Sequence, residues 1–170
     1  MHRKRLAAAA ATVVTAGSVA GVALAATPKI TGNGVGPVKV GMLFDDARDA
    51  GLVGKARPNC PESNPAGRGA KLASPLKGTV DLTDGTPRRI AKIHITGGTA
   101  AARGVVVGDT LADAKAAYPK GKVDKSLAGT FDLWFFRVPK SGGGKLVFEV
   151  ETTGAHDVIQ IDVRSAAFCE

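Results

Sequence analysis

The sequence predicts an α+β protein in which two diverged helix-plus-antiparallel-sheet repeats form one compact domain. Two observations lead to that class. The stretch "GPVKVGMLFDDARDAG" (36–51) returns as "RGVVVGDTLADAKAAY" (103–118), ungapped at an offset of 67 residues. Val38 falls on Val105, Val40 on Val107, Gly41 on Gly108, Asp46 on Asp113, Ala47 on Ala114 and Ala50 on Ala117. Each window is then followed by runs of alternating apolar and polar residues, the pattern of antiparallel strands with one buried face.

Taken in chain order, the first element is a predicted signal peptide over 1–25. "MHRKR" carries Arg3, Lys4 and Arg5, an alanine-rich apolar run follows, and Ala23-Leu24-Ala25 is an A-x-A cleavage pattern. The remaining chain divides into a first repeat over 26–100 and a second over 101–170, and it is expected to be secreted and extracellular. Removing the three leader cations from 23 Lys+Arg leaves 20 against 15 Asp+Glu, so the mature chain is modestly basic. Its cations are scattered and its aromatics few, which argues against nucleic acid. No membrane partner is expected after cleavage.

Within each window a short extended segment ("VKV" or "VVV") reaches a glycine that allows a sharp turn into a helix. In the second copy Thr110 is an N-cap with Asp113 three residues on, a capping-box start. Leu111, Ala114 and Tyr118 share one helical face, and Pro119 ends the helix. In the first copy Leu43 stands at the cap and Gly51 offers the stop, so that helix should be the weaker. After it come a Pro/Asn/Gly-rich loop (57–69), then "KGTVDL", the turn "TDGT" and "RRIAKIHIT", a hairpin pattern built on Asp84-Gly85. Ala91, Ile93 and Ile95 should face one way, with Lys92 and His94 opposite. After the second helix come "TFDLWFFRV", the turn "KSGGGK", "LVFEVE" and "DVIQIDVR". Ile159, Ile161 and Val163 are read as one face of the last strand.

Two cysteines, Cys60 and Cys169, read as a disulfide in an exported chain. It would close a loop of about a hundred residues and contribute roughly 4 kcal/mol in the chain-entropy model.

The "V-x-V-G-M…DDA…G" phrase resembles the strand–Gly–helix start of the beta-lactamase-inhibitory-protein-like fold and its outer-membrane assembly lipoprotein (SmpA/BamE-like) relatives. That resemblance implies tandem units of a small helical segment and an antiparallel sheet, building a curved, concave sheet. The chain also resembles uncharacterised secreted proteins of high-GC bacteria that carry "GxGPVxxGM", "GVxxGDT…YP" and a terminal "IxVxxxxxC". The aromatic-rich grip of the inhibitory protein is not matched by a chain with one Trp and one Tyr, so no binding residue is carried over.

No catalytic set is predicted, and no cofactor or metal ligand group. A Ser/His/Asp arrangement needs a histidine beside a nucleophile. His94 reads as a solvated residue on the polar side of a strand, and His156 as a turn residue. Asp45, Asp46, Asp49, Asp109 and Asp113 cluster at helix starts, where they oppose the helix dipole. The run "SGGGK" (141–145) lacks P-loop spacing and reads as a hairpin turn. One strand, 131–138, carries large apolar groups both ways: Phe131, Leu133 and Phe135 on one side, Trp134 and Phe136 on the other. One side must be core; the other is either covered or a contact patch. Trp134, Phe136 and Arg137 are therefore the candidate binding residues, with the loop at 57–68 as a second candidate surface. The function expected is a secreted, non-enzymatic binding module for an extracellular protein or cell-wall component. The alternatives are an envelope-associated structural protein held by charge, and a small extracellular hydrolase using aspartates.

Overall fold

The computed structural model describes residues 26–59, 66–141 and 143–165, and it overturns the expected class. The protein is mostly β, 47% strand against 13% helix, and is not assembled from helix-plus-sheet repeats. The reason is visible in the windows themselves. Each supplies only about two helical turns before Gly51 or Pro119 intervenes, giving α1 (Phe44–Asp49) and α2 (Leu111–Ala117). A third helix, α3 (Ala128–Phe131), is a single turn. The β-branched and aromatic residues lie elsewhere, and they pair into sheets.

A small three-stranded sheet comes first, from β1 (Ile30–Thr31), β2 (Gly34–Val35) and β3 (Val38–Lys39). The main sheet contains β4 (Arg57–Pro58), β5 (Arg68–Lys71), β6 (Leu76–Leu82), β7 (Ile90–Gly98), β8 (Lys122–Asp124), β9 (Leu133–Ser141), β10 (Gly144–Glu151) and β11 (Val158–Val163). Its order is β4-β5-β6-β7-β11-β10-β9-β8, antiparallel at every junction. Two four-stranded meanders thus join where β7 pairs with β11, through Ile95↔Ile161, His94↔Asp162 and Ile93↔Val163. The sheet is continuous across the expected boundary at residues 100 and 101. Two sequence expectations shift in detail: 57–69, read as loop, contributes β4 and the start of β5, while "VVV" (105–107) forms no strand beyond a single bridge from Val105 to Ala102.

One face of the main sheet meets α1, α2 and the small sheet. Val80, Ile93, Ile95, Leu146, Phe148, Val150, Ile161 and Val163 are buried there with Phe44, Ala47, Leu111, Ala114, Ile30 and Val38. The helices enter this layer alike. Gly41 and Gly108 adopt φ of 86° and 101°, a region open to glycine without strain. Their amides donate to the carbonyls of Ile90 and Val158, both at 2.8 Å. Thr110 forms the capping box with Asp113, whereas Leu43 gives α1 no side-chain cap.

Register irregularities decide which residues reach the core. Val150 pairs with Val158 while Glu149 pairs with Gln160, leaving Ile159 as an extra residue on β11. Val158 is therefore buried and Ile159 is 41% exposed, which corrects the expected alternation. Such a bulge inserts one unpaired residue and reverses the facing of what lies beyond it.

Candidate functional site

The second face of the main sheet carries the chemistry. Cross-strand neighbours Thr79, His94, Asp162, Val147 and Arg137 line up on it across β6, β7, β11, β10 and β9. His94 sits at the junction of the two meanders and is buried, contrary to the solvated setting expected for it. Its Nδ1–H donates to Asp162 Oδ1 (2.6 Å) and its Nε2–H to Asp81 Oδ2 (2.9 Å). Burial alone would lower its pKa, but the hydrogen bonds and charges of Asp162 and Asp81 outweigh that and raise it to about 9. The ring is thus an imidazolium bridging two carboxylates.

The network continues along β11 and β10. The amide of Gln160 donates to Asp162 Oδ1 (2.8 Å) and to Glu149 Oε1 (3.2 Å). Glu149 is itself buried. Burial first, and then the neighbouring Asp162, push its carboxyl up to about 8, so it holds a proton at neutral pH. The second oxygen of Asp162, Oδ2, is buried and accepts a hydrogen bond from no described residue. One imidazolium therefore serves two carboxylates, and the Gln160 amide links Asp162 to the neutral acid.

At the β4 end of the same face the network meets a pocket. The Asn59 amide donates to Asp81 Oδ1. It can reach because residue 69 on β5 is glycine, directly opposite Asp81. A Cβ there would lie 2.9 Å from the Val80 carbonyl oxygen and 3.3 Å from the Asn59 side chain. Beside Asn59 the pocket encloses about 280 Å³, and its charged lining consists of Lys55, Arg57 and Lys71. All three are exposed, and none makes an ion pair with a described carboxylate. Among the described residues no acidic side chain lines the pocket.

The residues singled out from sequence lie elsewhere. Phe136 is fully buried in the main core, its ring 5.9 Å from that of Phe148. Trp134 is half-buried on the same side, between the Lys125 ammonium (3.7 Å from the ring centroid) and the His156 ring (4.3 Å). Arg137 is on the second face, paired with Asp124 at 2.9 Å and lying over the ring of Phe135. Phe135 is buried too, so the second apolar side of β9 is covered; Phe131 belongs to α3, not to the strand. Trp134, Phe136 and Arg137 therefore form no common patch. Cys60 and Cys169 lie outside the described residues. The helix-start aspartates act locally: Asp45 and Asp49 pair with Arg48, Asp109 accepts from the Val106 amide, and Asp113 completes the cap of α2. The "SGGGK" run connects β9 to β10 as a hairpin turn. Among the described residues no group of His, Cys, Asp and Glu is arranged to hold a metal ion, and no helix is long and apolar enough to cross a membrane.

What sequence reading missed was the partnership of His94 with Asp81, Asp162 and Glu149. All four were visible on polar sides of strands, but the β7–β11 pairing that gathers them joins residues 68 apart. No family model, curated protein or solved structure matches the chain.

Proposed function

We propose that the chain is a secreted, non-enzymatic binding module that holds an anionic group of an extracellular protein or cell-wall component at the β4 end of its main sheet. One observation carries this reading: among the described residues, the pocket beside Asn59 gathers Lys55, Arg57 and Lys71 without a carboxylate in its lining. Clustered cations of one sign in a recess concentrate field and favour an anionic guest. The non-enzymatic reading is supported by how the titratable residues are used. His94, Asp81, Asp162 and Glu149 are hydrogen-bonded to one another or to Gln160 and Asn59; Asp45 and Asp49 pair with Arg48, Asp109 accepts from the Val106 amide, and Asp113 caps α2.

The test is a pull-down of extracellular and wall fractions on immobilised protein, beside an Arg57→Glu/Lys71→Glu variant. Retention of a discrete component that weakens with salt and disappears in the variant is expected. Equal retention by both proteins would remove the pocket from the account.

A further inference from the structure

We infer that the anionic partner is a linear polyanion, bound along a track that passes over the β4 edge, rather than a single charged group. This rests on the pocket assigned above. Lys55 lines that pocket and also a second one of about 380 Å³, on the α1 side of the same segment. The second pocket is lined by Phe44, Asp45, Arg48, Ala56, Thr86, Pro87 and Arg88 besides Lys55. Its one acid and one of its cations are engaged with each other, since Asp45 pairs with Arg48 at 2.9 Å, and Arg48 also holds Asp49 at 3.0 Å. Arg88 and Lys55 remain without a described carboxylate partner. Running from one side of the edge strand to the other, the available cations are Arg88, Lys55, Arg57 and Lys71. Lys55 belongs to both recesses.

A single small anion uses one recess and leaves the other empty. A flexible chain with a negative group at each repeat fills both, and its second contact forms at the high effective concentration set by the first. Among the described residues the track offers no stacking platform. Phe44 is the one aromatic in either lining, and it is buried, whereas single-stranded nucleic acid is gripped through bases stacked on aromatic side chains. A phosphate polymer without bases matches this lining.

Inorganic phosphate, tripolyphosphate and long-chain polyphosphate are the probes, titrated onto the full chain at low salt. Long-chain polyphosphate should bind about ten-fold or more tightly than tripolyphosphate at equal phosphate concentration. Lys55→Ala should weaken long-chain binding by about ten-fold. Arg88→Ala should do the same while leaving tripolyphosphate binding within about two-fold, because the first pocket stays intact. These exposed positions make no described side-chain contact on which folding depends, so the variants are readable. Equal affinity for long and short chains would overturn the track while leaving the single pocket standing. Tighter binding of oligothymidylate than of polyphosphate of matched charge would overturn the assignment of a base-free polymer. Failure of every phosphate probe to bind would overturn the pocket itself.

Discussion

Replacing Glu149 by glutamine should flatten the pH dependence of stability at mildly acidic pH, with little effect on the fold. In the folded protein the Glu149 carboxyl titrates at about 8, against an ordinary value of 4.5. Because the folded value is the higher one, the stabilisation it provides is complete below about pH 4.5 and is lost as pH rises through 8. Over that window the folded state holds one more proton than the unfolded chain, and stability falls by about 1.4 kcal/mol per pH unit. His94 adds a second term of the same sign, complete below 6.5 and lost through about 9; it is worth about 3 kcal/mol in full. Between pH 5 and 6.5 only Glu149 contributes, and the wild type should lose about 2 kcal/mol. Glutamine mimics the neutral acid and cannot ionise, so E149Q should be nearly flat there and fall only above 6.5. Urea unfolding followed through Trp134, the single tryptophan, reads this directly. With m-values of about 1–3 kcal/mol/M, the wild-type midpoint should drop by about 1 M across the window. A wild type whose midpoint rises from pH 5 to 8, or an E149Q variant with an unchanged slope, would refute the protonated-acid reading.

Further expectations follow from the same packing. His94→Asn should destabilise by about 3–5 kcal/mol, because Asp81 and Asp162 then face each other without a cation, and His94→Leu/Asp162→Leu should recover part of the loss in the same urea assay. Phe136→Ala should cost about 3–5 kcal/mol as a core cavity and leave anion binding intact once folded protein is compared, measured by urea unfolding and polyphosphate titration. Gly69→Ala should displace the Asn59 amide from Asp81 and lower the unfolding midpoint, whereas Gly129→Ala, with open space around it, should not. Thr110→Ala should cost about 1 kcal/mol through loss of the α2 cap, seen as a lower thermal midpoint.

Much of the strand content was legible from local pattern. The alternations at 76–82, 90–98, 144–151 and 158–163 are strands, and the capping box at Thr110 starts a helix. The fold class was not, because a two-turn helix with a good cap looks the same in sequence as the opening of a longer one. β4 and β8, two and three residues long, carry too few residues for a period to show. The bulge at Ile159, and a second at Ala91, left over because Asp81 pairs with Lys92 and Leu82 with Ile90, could not be foreseen from alternation, since an inserted residue preserves the apolar run while reversing its facing. The central polar network was hidden for a different reason. His94 beside Lys92 on a polar strand side is indistinguishable from a solvated histidine until a distant strand brings Asp162 against it. Of the candidate surface residues, Phe136 was taken by the core; the cations at 55, 57 and 71 were scattered in sequence and converge only when β5 folds back beside β4.

The junction of β7 with β11 also has a kinetic meaning. Each meander is assembled from neighbours close in the chain and can zip locally, but the seam joins residue 93 to residue 163. Until the chain through residue 163 has been delivered, β7 presents an open edge and His94 has only one of its two acid partners. Contacts of such wide sequence separation form slowly, because the loop they close must be ordered first. The protein should therefore fold as two early halves and one late closure. Its open edges are most vulnerable to mispairing in the interval before the last described strand arrives.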